Sequence, residues 1–334
     1  METSKAAPAA PTINDVFRAR RTVAAHLPPT PMWSYHALDA AAGATIWVKH
    51  ENVQPTGAFK VRGGMYLLST MTEADRARGV VGYSTGNHAQ SLAYASAHFG
   101  VRCTIVMPED PNPAKAAVVR AHGAELVEAG ATFDEAGKVA VRLAAERGAR
   151  LVSAANEPEI IAGVASAYLE MIEQVPDLDT IVVPVGSGSG AAGACLVTAA
   201  IAPHCRVIAV QSAASPAAHD SWRAGRLVER PNRTRVEGVA TGTAFDLPQR
   251  ILRTQLSDFL LVSDDAMAHA QAVLAHDAHT LAEGAGAAGL AAVLEHPDRF
   301  SGRRVGLVCT GANASERELR GIAAGKLSRP VAVS

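Results

Sequence analysis

Short runs rich in β-branched residues recur at 45–49 (TIWVK), 80–84 (VVGYS), 103–107 (CTIVM), 124–127 (AELV), 180–185 (TIVVPV), 206–210 (RVIAV) and 304–308 (RVGLV), with stretches of helical length between them. Branching at Cβ favours extended backbone, and apolar runs without polar alternation need cover on both faces. Strand alternating with helix therefore predicts an α/β fold built on mostly parallel strands. Such sheets bind ligands at strand carboxyl ends, beside the N-termini of the helices that follow. Four turns of that kind carry small and polar residues: 56–60 (TGAFK), 84–88 (STGNH), 186–190 (GSGSG) and 309–313 (CTGAN).

With 48% hydrophobic and 19% charged residues, the 334-residue chain has the apolar content for a substantial core. Its 31 Lys and Arg are balanced by 32 Asp and Glu and interspersed with them, and no basic block stands beside aromatics. A small-molecule partner is expected and a nucleic acid is not. Gly, Pro, His or charge interrupts the apolar stretches well before the ~20 residues that span a bilayer, so no membrane role is expected. Residues 1–11 lack the basic-then-apolar pattern of a secretion signal and read as a loose tail. Cys103, Cys195, Cys205 and Cys309 are widely spaced, which suits buried thiols in a reducing, cytoplasmic setting.

The segment 186–193 (GSGSGAAG) follows an apolar run and opens an alanine-rich helix, so its backbone N–H groups can converge on a phosphate. Gly188, Gly190 and Gly193 also match the dinucleotide fingerprint of an oxidoreductase. That reading requires an acidic residue about 20 positions on, at the end of the next strand, where this chain has Gln211. A P-loop ending in Gly-Lys-Ser/Thr is absent as well, and a phosphate monoester fits better. Lys60 lies among small and apolar residues, where desolvation lowers an amine's pKa and favours its nucleophilic form. Taken singly, each residue has a plainer role: Lys60 a surface charge, Asn87 and His88 a helix cap and a packed ring, Thr310 a turn residue.

Phe59, Lys60, Arg62 and Gly63 resemble the cofactor-lysine motif of the fold-type II pyridoxal 5′-phosphate enzymes, in the threonine/serine dehydratase and serine racemase branch. The other three turns match in order and spacing. The resemblance extends over 16–313 and includes 107–110 (MPED), Lys115, 123–125 (GAE), Gly163 and 282–287 (AEGAGA). It implies a tryptophan synthase β-like α/β architecture of two three-layer α/β/α lobes. The larger lobe would comprise 1–75 and 154–334 and the smaller 76–153, with assembly as a homodimer or higher homo-oligomer. It further implies that Lys60 is the catalytic residue, holding pyridoxal 5′-phosphate as a Schiff base. Phe59, Asn87, Gly186, Ser187, Gly188, Ser189, Gly190, Glu283 and Thr310 would bind the cofactor with it, and Ser84, Thr85, Gly86, Asn87 and His88 an amino-acid substrate.

The implied activity is dehydration of a 3-hydroxy amino acid such as L-threonine or L-serine to a 2-oxo acid and ammonia. Racemisation, β-replacement and a non-catalytic cofactor-binding sensor remain as alternatives. Thr85 stands where the family's racemases carry serine, and its bulkier hydroxyl argues against racemisation. Gln211 replaces an acid of the metal-binding relatives and His219 and Asp220 suit a solvated helix face, so no divalent metal is expected. Glu237 takes the place of an aspartate common in dehydratases. The short stretch after Asn313 leads us to expect no C-terminal regulatory module.

Overall fold

The computed structural model describes residues 8–111 and 113–324; residues 1–7 and 325–334, the outer ends of the expected tail and larger lobe, lie outside them. Its strands are β1 (Met32–Ser34), β2 (Thr45–His50), β3 (Val80–Tyr83), β4 (Cys103–Met107), β5 (Glu125–Glu128), β6 (Arg150–Val152), β7 (Thr180–Pro184), β8 (Arg206–Ser212), β9 (Asp258–Val262) and β10 (Arg304–Cys309).

Successive side chains of a strand point to opposite faces, so an all-apolar strand must be covered twice. In β7, Ile181 and Val183 pack with Ala165, Tyr168, Ala191 and Cys195 on one face. Val182 packs with Ala287, Leu290 and Met267 on the other. The result is a six-stranded sheet, ordered β1-β2-β10-β7-β8-β9, with helices on both sides. A second sheet of four strands, ordered β5-β4-β3-β6, uses only strands between Val80 and Val152. Ile105 and Val80 face one helical layer, while Val106 and Val81 face Ala136, Ala140 and Ala144 of the other. Among these strands all pairings are parallel except β1 with β2.

Besides the three-residue β6, two strands fall outside the runs marked by sequence. β1 is a three-residue antiparallel edge strand, and β9 (DFLLV) is rich in leucine, which carries weak strand preference. Pairing with β2 and β8 makes each of them a strand.

Helix Lys60–Thr70 lies where the two sheets' layers meet, packed against helices Asn87–Phe99 and Pro158–Gln174. Contact is close enough to exclude side chains: a Cβ on Gly64 would lie 2.5 Å from Ser91 Oγ, and one on Gly163 2.6 Å from the Arg62 carbonyl. Arg62, two residues into this helix, is 0% exposed. Its Nε and Nη2 donate to Glu51 at 2.7 and 2.8 Å, and its Nη1 and Nη2 to Glu170 at 2.8 Å each. Lys49 Nζ, also buried, donates to Glu170 at 2.7 Å. Four charges thus cancel in the interior and tie the start of the helix to both β2 and helix Pro158–Gln174. Among the described residues no helix is long and apolar enough to cross a membrane.

Candidate active site

Four helices start conventionally, with Thr12, Thr72, Thr132 and Ser263 side chains accepting from first-turn N–H groups. Helices Asn87–Phe99 and Ser189–Ile201 instead begin at Gly86 and Gly188, with no side-chain cap. The N–H groups at the very start of each thus have no side-chain acceptor, the arrangement in which a helix start can take an anion. Gly188 has φ +90°, a left-handed conformation that glycine adopts without strain. At Gly186 a Cβ would sit 2.2 Å from the Gly238 carbonyl.

The turn after β7 brings Ser187 and Ser189 to Lys60. The Lys60 amine lies 2.9 Å from Ser187 Oγ, 2.7 Å from Ser189 Oγ and 3.3 Å from the Ala154 carbonyl, with the Phe59 ring centroid at 5.3 Å. Burial lowers its pKa from 10.5 to about 7, so near neutral pH a substantial fraction of the amine carries a free lone pair. The backbone at Lys60 is stitched to the end of β10: Phe59 N–H donates to the Thr310 carbonyl at 3.0 Å and Ala312 N–H to the Gly57 carbonyl at 2.8 Å. Thr310 is buried there.

Asn87, at the carboxyl end of β3, reaches across to the larger sheet. Its Nδ2 donates to Glu283 Oε1 at 2.6 Å and its Oδ1 accepts from Asn313 Nδ2 at 2.7 Å. Burial pushes the Glu283 carboxyl up to about 7, opposed by the Asn87 hydrogen bond and by Lys115. A Cβ at Gly311 would lie 2.3 Å from the same carboxylate oxygen, which explains glycine there. Lys115, from the smaller sheet's side, pairs with Glu237 and lines a cavity with Glu237, Gly238, Glu283 and Asn313.

Ser84 Oγ accepts from Gly86 N–H at 3.2 Å, and Thr85 is half-buried in the same turn. His88 is buried, and its Nε2 has no hydrogen-bond partner. Burial, reinforced by the Lys60 charge, holds the ring pKa near 3 against a hydrogen bond to the Val152 carbonyl, so the ring is neutral.

The structure thus gathers the four turns at one set of strand ends. Lys60, Phe59, Ser187, Ser189 and Gly190 form one cluster, since a Cβ on Gly190 would come within 3.3 Å of the Phe59 ring. Asn87 forms another with Glu283 and Asn313, each hydrogen-bonded to it. Asn313 carries no role in the sequence reading of the 309–313 turn; its polar side chain immediately after a Thr-Gly-Ala strand end is the local signal for it. Gln211 Oε1 accepts from the Ala218 and His219 N–H groups at 3.1 Å each, and Asp220 pairs with His219 and Arg230. Among the described residues no three His, Cys, Asp or Glu side chains are grouped to hold a metal ion.

The family profile described as "Pyridoxal-phosphate dependent enzyme" matches residues 23–311. The chain is 36% identical over 303 residues to the L-threonine ammonia-lyase of Thermotoga maritima, covering 90% of this chain and 75% of the relative. It is 30% identical over 321 residues to the L-threo-3-hydroxyaspartate ammonia-lyase of Saccharomyces cerevisiae, covering 96% and 98%. Among solved structures, the serine racemase of Dictyostelium discoideum superposes with a TM-score of 0.87 at 29% identity, covering 92% of this chain and 100% of that one.

Proposed function

Because this chain belongs to the pyridoxal-phosphate dependent enzyme family, we propose that it is an ammonia-lyase converting a 3-hydroxy amino acid such as L-threonine or L-serine to a 2-oxo acid and ammonia. The observation that carries this reading is the Lys60 amine, with its pKa lowered to about 7, at the mouth of a glycine- and serine-built anion cradle. Curated relatives named as ammonia-lyases for threonine and for hydroxyaspartate support the reaction type.

The residues fit the cofactor. The uncapped start of helix Ser189–Ile201, the Ser187 and Ser189 hydroxyls and the close-packed Gly186 form a donor set for a phosphate monoester. Phe59, Gly188 and Gly190 complete that cradle, Asn87 with Glu283 and Thr310 would hold the ring, and Lys60 would bind the aldehyde. When bound, pyridoxal phosphate supplies an electron-withdrawing ring that stabilises negative charge at the substrate's α-carbon.

The chain's own residues then have definite tasks. Ser84, Thr85, Gly86 and the N–H groups at Asn87 and His88 hold the substrate carboxylate at the free start of helix Asn87–Phe99. Lys60 Nζ, neutral in part near pH 7, takes the proton from the α-carbon as general base. The stitched segment 57–60 and the Arg62 cluster keep that amine in place, which is the positional part of catalysis. Thr85 offers a more crowded hydroxyl than serine to the opposite face, which favours elimination over racemisation.

Ammonia release from a panel of 3-hydroxy amino acids, with chiral analysis of residual substrate, tests the proposal. Lys60→Ala should lose visible cofactor absorbance and more than roughly a thousandfold in elimination. Wild-type turnover in that variant would sink the assignment.

A further inference from the structure

An ammonium group has three N–H donors and accepts nothing. The Lys60 amine has three oxygens around it: Ser187 Oγ at 2.9 Å, Ser189 Oγ at 2.7 Å and the Ala154 carbonyl at 3.3 Å. Ser189 is 0% exposed, so its hydroxyl cannot turn to bulk water. The carbonyl can only accept, whereas each hydroxyl can accept from the protonated amine or donate to the neutral one.

We propose that Ser187 and Ser189 are positioning residues for Lys60, forming with the Ala154 carbonyl a three-acceptor seat that receives its ammonium form. The seat rests on the proposed role of Lys60 as base: once Nζ has taken a proton it becomes a buried cation, and buried cations need acceptors. Charge-assisted hydrogen bonds are the stronger ones, so the seat favours the protonated amine and opposes the desolvation that lowers its pKa. The titratable neighbour His88 is neutral and adds no compensating charge. Glycine at both positions would still leave N–H groups for a phosphate but would take away two of the three acceptors.

The test is the pH dependence of Lys60 labelling by trinitrobenzenesulfonate in the full-length chain stripped of cofactor, read by mass spectrometry of the Lys60 peptide. The wild-type midpoint should lie near the value of about 7 set by burial. Ser187→Ala and Ser189→Ala should each lower it by about one unit, and the pair by about two, from the usual strength of a hydrogen bond to a charged group. Ser189→Thr, which keeps a hydroxyl, should restore the wild-type midpoint. Should circular dichroism show the alanine variants unfolded, the Ser187→Gly/Ser189→Gly pair provides the same reading. An unmoved midpoint in a folded double variant, with weakened binding of pyridoxal phosphate alone, would overturn the seat and leave the hydroxyls as phosphate ligands only. Failure of the enzymatic reading shows elsewhere, as elimination surviving in Lys60→Ala.

Discussion

Replacing Arg62 with methionine keeps most of the side-chain volume and removes the charge at the centre of the buried cluster. In the intact protein Arg62 and Lys49 balance Glu51 and Glu170, all at most 2% exposed. Burial alone would discharge Glu170, yet Arg62 and Lys49 hold its carboxyl below the ordinary range. Burial likewise works against the charged Arg62, and the two glutamates outweigh it and hold its pKa above the ordinary range. Arg62→Met leaves two buried carboxylates with Lys49 as the close counter-charge, Arg20 standing 3.7 Å from Glu170. Breaking a buried pair from one side costs about 3–5 kcal/mol. For a 334-residue chain that corresponds to a melting temperature about 4–7 °C lower. Circular dichroism melts of the loaded enzyme measure it. Glu170's depressed pKa contributes stability above the unfolded-state value of 4.5 that is lost as pH falls through the lower folded value. Without Arg62 the Glu170 carboxyl loses part of what holds its pKa down and protonates more readily, so the variant's deficit should narrow from pH 7 towards pH 4. A melt within about 2 °C of wild type at pH 7 would refute the claim that this cluster anchors the Lys60 helix.

Glu283 titrates in the opposite sense: its folded pKa of about 7 lies above the ordinary 4.5, so stability falls as pH rises through that window. Glu283→Gln should flatten this dependence, and urea titrations from pH 5 to pH 8 should show the variant gaining about 3 kcal/mol relative to wild type; parallel curves would count against a buried, titrating Glu283. Thr85→Ser should raise the ratio of racemisation to elimination about tenfold or more, a change of ~1.4 kcal/mol in relative barrier, and an unchanged ratio on chiral chromatography would remove Thr85 from any part in that choice. Gly163→Ala places a Cβ 2.6 Å from the Arg62 carbonyl and 2.7 Å from Gly63 Cα. It should cost about 1–3 kcal/mol in a thermal melt by forcing two helices apart, and a stability gain there would contradict the packing.

The central strand runs, 103–107 and 180–185 among them, were legible because a strand buried on both faces must be apolar throughout, a property the segment carries locally. The glycine-serine turn at 186–190 was legible for a similar reason, since a phosphate cradle needs backbone N–H groups and few side chains. β1 and β9 were not, because a short edge strand is made by its neighbour. Lys60 shows the division most clearly. Its neighbourhood of small and apolar residues could be read along the chain, but its lowered pKa and its three oxygen partners come from segments 94 to 129 residues away. Asn87, Asn313 and Glu283 likewise meet across separations of 196 and 226 residues. Local conformation and solubility in a core are short-range properties that a sequence states by itself. Desolvation and hydrogen-bond geometry depend on distance in space, and only the packed tertiary structure decides them.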